Sequence, residues 1–279
     1  MDIADMHIHS TKSDGLLSPS EIVHWGIKKN LKAISITDHD NIEGIHDAMC
    51  SSAGTFLEVI PGVELSTEYK GAEVHMLGYF IDYEDSELKS FLKKLSDSRV
   101  ERTQLMIKKL NNLGYCIEFE EVKNVAKDAF SIGRPHIARV MVNKGLCISV
   151  KEGFEKFLSY GKPAYVERYK ISPFEALEAI SRSHGLASIA HPGLIINIDI
   201  KKLIKRLKEW GLMGIEVYHT NHTEEDVARL SNIAEAYSLI PTGGSDCHGV
   251  MENNMPLLGT VTVPYVNVSK LKSLIPDRG

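Results

Sequence analysis

Side chains that commonly bind metal ions recur in short groups along the chain. His7 and His9 are two residues apart, as are Asp246 and His248, and side chains with this spacing on a strand point to the same side. The groups are Asp5-Met6-His7-Ile8-His9, Thr37-Asp38-His39-Asp40, Pro61-Gly62-Val63-Glu64, Val74-His75-Met76, Ala190-His191-Pro192, Val217-Tyr218-His219 and Gly244-Ser245-Asp246-Cys247-His248. Imidazole and carboxylate together suit zinc, manganese or iron(II), whereas magnesium and calcium sites are built almost entirely from oxygen. The sequence therefore predicts a mixed nitrogen and oxygen site for transition metals.

Most of these groups follow short apolar runs that predict β-strands. The runs are rich in isoleucine and valine and alternate with longer helical patterns, which favours a largely parallel sheet of the α/β class. They cover residues 3–8, 33–37, 57–63, 187–190, 214–218 and 239–242. In barrels of alternating strands and helices, reactive side chains gather at the carboxyl ends of the strands. We therefore expect the groups to converge in one pocket, although they lie far apart in the sequence.

Helical patterns occupy much of the remaining chain. Ser18-Pro19-Ser20-Glu21 and Ser172-Pro173-Phe174-Glu175 each combine a capping serine, a proline at the first helical position and a glutamate three residues after the serine. Strand patterns are missing from about residue 85 to about residue 161. We interpret residues 96–167 as a helical insertion, which is too long for an ordinary loop and would form a cap over a site. Residues 1–95 and 168–279 would then be the two parts of the barrel.

The overall charge argues against a long polyanionic partner. The 279 residues carry 32 basic and 37 acidic side chains, a formal net charge of -5, so there is no global positive field. A small phosphorylated substrate, such as a nucleotide or the end of a short oligonucleotide, fits better than a long nucleic acid tract. The four cysteines form no Cys-x-x-Cys pair, the start MDIADMHIHS lacks the basic and apolar regions of a signal peptide, and no apolar run approaches about 18 residues. These features predict a cytoplasmic protein that does not enter a membrane, and no pattern indicates its oligomeric state.

Five of the groups resemble, in order, the successive motifs of the PHP (polymerase and histidinol phosphatase) family. They are Asp5-Met6-His7-Ile8-His9-Ser10, Thr37-Asp38-His39-Asp40, Pro61-Gly62-Val63-Glu64, Ala190-His191-Pro192 and Gly244-Ser245-Asp246-Cys247-His248. The match spans nearly the whole chain. It implies a distorted (β/α)7 barrel with a small helical cap, and two to three divalent ions of manganese, zinc or iron.

The resemblance also implies which residues hold each ion. The ligands of the first metal would be His7, His9, Glu64 and Asp246, those of the second Glu64, His75 and His191, and those of the third Asp14, His39 and His248. From the residues alone, Ser13-Asp14-Gly15 also has the pattern of an ordinary turn. All nine positions hold suitable ligands, which argues against a non-catalytic member of the family.

The insertion is similar to that of bacterial PHP phosphoesterases that act on nucleoside 3',5'-bisphosphates or on the 5' ends of short RNA. Within it, Gly133-Arg134-Pro135-His136 resembles an arginine-bearing turn of those proteins. A guanidinium group there would bind a substrate phosphate through two parallel hydrogen bonds, with His136 and Lys162 as further phosphate contacts. The alternative for Arg134 is a surface arginine at a helix start, and for Lys162 a solvated lysine.

Two further histidines, His219 and His222, follow the predicted strand 214–218. They could contact a phosphate or protonate the leaving oxygen, although polar residues that cap a helix would look similar. Together with Asp246 and His248, they are the predicted catalytic residues.

The expected reaction is in-line hydrolysis of a nucleotide phosphate ester by a hydroxide that bridges two metals. A histidinol-phosphate phosphatase resembles this chain in its metal motifs and is the first alternative, but the insertion with Arg134 favours a nucleotide. A PHP module that serves a polymerase as an accessory or proofreading nuclease is another, although no polymerase region accompanies it in this sequence. A non-catalytic, metal-stabilised binding module would keep its ions fully ligated, whereas the predicted ligand count leaves coordination sites open.

Overall fold

A curled sheet forms the centre of the molecule. The computed structural model describes residues 2–127, 132–167, 169–252 and 255–275. The strands are β1 (Ile3–Ile8), β2 (Ala33–Ile36), β3 (Glu58–Tyr69), β4 (Ala72–Tyr79), β5 (Leu186–Ile189), β6 (Gly214–His219), β7 (Ile240–Gly244), β8 (Met251–Glu252), β9 (Met255–Pro256) and β10 (Val263–Pro264). Their order in the main sheet is β10-β1-β2-β3-β4-β5-β6-β7, while β8 pairs only with β9. The seven strands β1 to β7 therefore form the barrel, and β10 adds a short eighth strand beside β1.

Ten α-helices accompany the strands in the described part of the chain. They are α1 (Pro19–Lys28), α2 (Ile45–Ser52), α3 (Ser86–Asn112), α4 (Phe119–Ala126), α5 (Arg134–Asn143), α6 (Val150–Gly153), α7 (Pro173–Arg182), α8 (Ile200–Glu209), α9 (Glu224–Ala236) and α10 (Tyr265–Lys272). Both predicted capping boxes are present, because Ser18 and Ser172 accept hydrogen bonds from the backbones of Glu21 and Glu175, whose side chains accept hydrogen bonds in return. None of the described helices combines the length and apolar character needed to cross a bilayer.

Strand directions are mixed around the barrel. Parallel pairing joins β1 to β2, β2 to β3, β5 to β6 and β6 to β7. The strand prediction omitted β4, which runs antiparallel to both β3 and β5. Lys70 and Gly71, with φ angles of 51° and 83°, make the two-residue β3-β4 turn with positive φ at both positions. The sequence predicted that Glu64 lies at the end of its strand. The hairpin extends β3 to Tyr69, so Glu64 instead lies within the strand.

The barrel closes where the residues after β7 meet the end of β1. The amide of Asp246 donates to the carbonyl of His7 at 2.9 Å, and the amide of His9 donates to the carbonyl of Cys247 at 3.0 Å. Gly244 makes this approach possible, because a Cβ atom there would lie 2.5 Å from the Cβ atom of His7. The seam thus brings the first and last metal-binding groups of the sequence together.

Two apolar cores are linked by the long helix α3. Leu88, Leu92 and Leu95, in its first half, pack into a barrel core with residues of β3 to β6. Met106 and Leu110, in its second half, pack into a separate core formed within the predicted insertion. The predicted boundary between residues 95 and 96 falls inside this unbroken helix, so α3 belongs to both regions.

Candidate metal centre

All nine predicted metal ligands lie in one pocket at one end of the barrel. Most are positioned by the end of a strand: His7 lies in β1 and His9 just after it, while His191 is the second residue after β5. Glu64 and His75 instead project from within the β3-β4 hairpin. The four groups of ligand atoms that lie within 4.8 Å of one another are His9-Asp14-His39-His248, His7-His9-Asp246, His7-Glu64-His191 and His39-Glu64-His75. Because neighbouring groups share members, the nine side chains form one continuous cluster.

Glu64 occupies the centre of this cluster and is only 1% exposed. Its Oε1 atom lies 2.8 Å from Nδ1 of His75 and 3.1 Å from Nε2 of His191. Its Oε2 atom lies 2.8 Å from Nδ1 of His39 and 3.3 Å from Nε2 of His9. The two carboxylate oxygens therefore face different histidine pairs, an arrangement that suits a ligand shared between neighbouring cations.

Two aspartates complete the cluster on either side of His9. Oδ1 of Asp246 lies 3.1 Å from Nε2 of His9 and 3.4 Å from Nε2 of His7. Oδ1 of Asp14 lies 3.3 Å from Nε2 of His248 and 3.8 Å from Nδ1 of His9. The Ser13-Asp14-Gly15 segment is thus part of the pocket and not a remote surface turn.

Several buried polar atoms of the cluster lack a hydrogen-bond partner within the described part of the protein. Among the described residues, Nδ1 of His9, Nδ1 of His39 and Oε2 of Glu64 are buried and have no hydrogen-bond partner. His39 and Glu64 approach to 2.8 Å, but these two atoms are not aligned for a hydrogen bond. Unpaired buried polar atoms are costly, and a cation between them would satisfy both kinds of donor atom. The residues therefore fit divalent metals with mixed imidazole and carboxylate ligation.

The electrostatics of the pocket favour the ligating forms of several groups. Burial by itself would raise the pKa of Glu64, but His39, His75 and His7 outweigh it and hold that pKa well below its usual value. Burial would also raise the pKa of Asp246, but His7 and His248 outweigh it and hold that pKa well below its usual value. Burial, together with His248 and His39, lowers the pKa of His9 to about 4. Glu64 and Asp246 are therefore ionised and His9 is neutral, which are the states in which these side chains bind metals.

Comparison with known proteins identifies the family. A family model described as "PHP domain" matches residues 5–210. The chain belongs to the PHP family. The 5'-3' exoribonuclease of Haemophilus influenzae is 32% identical over 247 residues, which cover 88% of this chain and 89% of that protein. The 3',5'-nucleoside bisphosphate phosphatase of Chromobacterium violaceum is 30% identical over 264 residues, or 94% and 93% of the two chains.

A solved structure extends this likeness to three dimensions. A Bifidobacterium adolescentis protein, provisionally assigned as a metal-dependent phosphoesterase, has a TM-score of 0.90 and 27% identity, with 99% of this chain and 97% of that chain covered. The predicted PHP barrel is confirmed. The predicted enzyme class, a metal-dependent hydrolase of phosphoric ester bonds, is confirmed by the family and by the named relatives.

Glu216, which the sequence analysis missed, holds two of the predicted metal ligands in place. It is fully buried in β6, and its Oε1 atom lies 3.0 Å from Nδ1 of His7. Its Oε2 atom accepts a hydrogen bond of 2.6 Å from the amide of His191, whose φ of 29° is unusual for a residue with a side chain. A proton on Nδ1 of His7 leaves Nε2 free to face the cluster. A glutamate inside the apolar run Gly-Ile-Glu-Val was the available signal.

Two buried aspartates, also missed, support the loops that carry ligands. Asp5 accepts hydrogen bonds from the amide and hydroxyl of Ser245, at 2.9 and 2.6 Å, next to Asp246. Asp38 accepts hydrogen bonds from the hydroxyls of Ser10 and Ser13, at 2.6 and 2.5 Å, next to Asp14. Both aspartates stand in the sequence motifs that contain the predicted ligands. Their partners explain why the motifs contain serine as well as histidine.

The two additional histidines occupy different environments. Nδ1 of His219 accepts a hydrogen bond of 3.1 Å from the amide of Asn221, so the neutral ring carries its proton on Nε2. That Nε2 atom lies 3.3 Å from Oδ2 of Asp246. His222 donates from Nδ1 to the carbonyl of Val217 at 2.9 Å and accepts the amide of Gly193 at 3.1 Å. Only His219 therefore faces the cluster. Both ring nitrogens of His222 are bound to backbone, which gives no support to its predicted role as an acid or phosphate ligand.

The three residues of the insertion that were predicted to contact phosphate also lie in environments that differ from one another. Nη2 of Arg134 lies 3.8 Å from Oε2 of Glu73, whose Oε1 atom lies 3.1 Å from Nε2 of His75. His136 is 1% exposed, and its Nδ1 atom accepts the amide of Gly133 at 3.1 Å. Burial lowers the pKa of His136 to about 4, so it has neither the charge nor the exposure for a phosphate contact. Lys162 is exposed in the turn after the cap helices. Of these three residues, Arg134 is the one tied to the metal centre.

Proposed function

We propose that this PHP phosphoesterase hydrolyses a phosphate ester of a nucleoside 3',5'-bisphosphate or of the 5' end of a short RNA. The observation that carries this proposal is the position of Arg134. It is separated from the predicted ligand His75 by a single carboxylate, that of Glu73. A substrate with two phosphates, or with a phosphate next to the scissile one, could reach the metal centre and Arg134 together. The activities named for the two relatives support the same substrate class.

The nine ligands would hold two or three ions of manganese, zinc or iron. Divalent metals of this kind supply a water of lowered pKa and neutralise the charge that develops on the phosphoryl oxygens. Glu64, which faces His75 and His191 with one oxygen and His39 and His9 with the other, would fix the spacing of the ions. Asp246 and His248 would act as ligands on the side of the pocket that faces His9.

His219 is the proposed proton donor of the protein. Its Nε2 proton points to Oδ2 of Asp246 at the edge of the cluster, and its side chain is fully buried. In this position it can donate to an oxygen that leaves the phosphorus, or hold Asp246 in a fixed orientation. His222 would position the ligand His191 without touching the substrate, because its Nε2 atom accepts a hydrogen bond from the amide of Gly193, two residues after His191.

Residues 96–167 are the proposed cap. Within it, α5 begins at Arg134, and the guanidinium lies 5.5 Å from the ring centre of Phe154. This contact and the carboxylate of Glu73 orient the guanidinium without enclosing it, since the side chain keeps 24% of its exposure. Binding of a second phosphate there would convert remote binding energy into orientation of the scissile group.

A phosphate-release screen with manganese tests the proposed substrate class. It would compare a nucleoside 3',5'-bisphosphate, a mononucleotide, a short 5'-phosphorylated RNA and histidinol phosphate. We expect the highest kcat/KM for the bisphosphate or the RNA. Turnover of histidinol phosphate alone would replace the proposed substrate, and absence of all turnover after metal reloading would favour a non-catalytic binding module.

A further inference from the structure

We propose that a cavity beside the metal centre binds the nucleobase of the substrate, with Tyr160 as the stacking surface. This inference rests on the proposed nucleotide substrate and deepens it. The cavity has a volume of ≈ 600 Å³, and we call it the cap-side cavity. The lining residues used in the argument are Glu73, Arg134, Tyr160, Tyr165, Leu194 and Ile196.

The cap-side cavity adjoins the metal centre through two of its walls. Glu73 lines the cavity and lies 3.1 Å from Nε2 of the predicted ligand His75. Leu194 lines it as well, and its amide donates to the carbonyl of the predicted ligand His191 at 3.0 Å. A molecule whose phosphate reaches the metal ligands can therefore extend its remaining part into this cavity.

Two tyrosines supply an aromatic surface in the cavity. Tyr160 is 80% exposed, which is high for a large aromatic side chain. Its ring centre lies 5.5 Å from that of Tyr165, with the planes at 72° to each other. Tyr165 is in turn held by the guanidinium of Arg102, 5.4 Å from its ring centre. Tyr160 thus rests edgewise on an anchored neighbour, and a flat ligand could stack on its face.

Aliphatic side chains add to this surface. Leu194 and Ile196 follow the His191 turn and are 43% and 73% exposed. Exposed aliphatic and aromatic side chains in one cavity suit a flat, weakly polar group. A nucleobase is such a group, and every base offers a face for stacking whatever its sequence identity.

The charges of the cavity indicate that the flat group carries a phosphate. Lys170 is already engaged by two carboxylates, at 3.0 Å from Glu68 and 3.2 Å from Glu167. Arg134 has a looser contact of 3.8 Å with Glu73, which leaves its fork of donors able to take a phosphate. A phosphate anchor beside an aromatic surface is the combination that recognises a nucleotide. Stacking on Tyr160 would then hold the base while Arg134 holds the phosphate.

The test compares substrates with and without a base. Tyr160→Ala, Tyr160→Phe and the wild type would be assayed with adenosine 3',5'-bisphosphate and with ribose 3,5-bisphosphate, both with manganese. Stacking on an aromatic side chain predicts a rise in KM of about 5- to 150-fold for Tyr160→Ala with the adenosine substrate, and no change with the ribose substrate. Tyr160→Phe keeps the ring and should behave as the wild type does.

Tyr169→Ala is the matched control, because Tyr169 is 61% exposed and does not line the cap-side cavity. Its KM for both substrates should equal that of the wild type. An unchanged KM in Tyr160→Ala, or an equal rise for both substrates, would overturn the nucleobase site while leaving the proposed function in place. Failure of the wild type to turn over or bind either bisphosphate would overturn the proposed function, and the nucleobase site with it.

Discussion

The metal centre and the cap-side cavity adjoin each other but are built differently. In the metal centre, His7 is fully buried and Glu64 is 1% exposed, and their positions are determined by strands and by buried carboxylates. In the cap-side cavity, Tyr160 is 80% exposed and belongs to a turn. The barrel therefore supplies a fixed set of reactive groups, while Tyr160 lies on a surface that can change without disturbing them. Under the proposed function, the metal ligands would carry the chemistry and the cap-side cavity would recognise the base.

Glu64→Gln would test the metal side of this comparison most severely. The change keeps the size of the side chain but removes the charge that faces four histidines. We expect kcat/KM with manganese to fall by at least about 10²- to 10³-fold, the loss seen when one group that stabilises developing charge is removed. Glu58→Gln, at the first residue of the same strand, is the control and should leave kcat/KM unchanged. A wild-type rate in Glu64→Gln would contradict a central role for this carboxylate.

Arg134→Ala tests whether the residue between the metal centre and the cap-side cavity binds a second phosphate of the substrate. The loss of a charged hydrogen-bond partner predicts a rise in KM of about 100-fold for a nucleoside 3',5'-bisphosphate. A simple aryl phosphate, which has no second phosphate, should be hydrolysed as well as by the wild type. Steady-state kinetics on both substrates would show the difference. Arg182→Ala removes an exposed arginine far from the cavity lining and serves as control, and equal losses on both substrates would count against the proposed role of Arg134.

Glu216→Gln asks whether the metal centre depends on groups that do not touch the metals. An amide has one acceptor oxygen, whereas Glu216 serves both His7 and the amide of His191. Loss of such support predicts an affinity for manganese about 10- to 100-fold weaker. Titration of the metal-free protein with manganese would measure it, and excess manganese should restore most of kcat. An unchanged affinity would show that the strands alone position the ligands.

His222→Ala should have the smallest effect on the reaction. The two hydrogen bonds of His222 to backbone predict a loss of about 1 to 3 kcal/mol in the free energy of unfolding, measured with denaturant. The value of kcat at saturating manganese should fall less than about tenfold, because removal of a general acid would cost about 10²- to 10⁴-fold. A loss in that larger range, without loss of stability, would return His222 to the list of catalytic residues.

The sequence was most informative where short-range spacing determines direction. The alternation His7-x-His9 and the strand patterns were enough to predict that distant groups meet at one end of a barrel. The antiparallel β4 was not predicted, because the Lys70-Gly71 turn lacks the Asn-Gly or Asp-Gly pattern that usually marks such hairpins. His75 was therefore assigned through the family resemblance and not through a predicted strand.

Long-range partners set the limit of the sequence analysis. Glu216 bonds with His7, 209 residues away, and nothing local distinguishes it from a surface glutamate except its apolar neighbours. His136 was assigned to phosphate because it stands in the motif that contains Arg134, and His222 because it follows the predicted strand 214–218. Their ring nitrogens are engaged by nearby backbone, a detail that depends on the exact path of the chain. Side-chain type predicted the chemistry of the pocket better than it predicted which neighbours take part.

Anomalous diffraction from crystals of the manganese-loaded protein would test the central claim most directly. The account predicts two or three manganese peaks inside the barrel pocket, with Glu64 between them and with His7, His191 and Asp246 within bonding distance. Peaks confined to other surfaces of the protein, or no peak near Glu64 at saturating manganese, would contradict it.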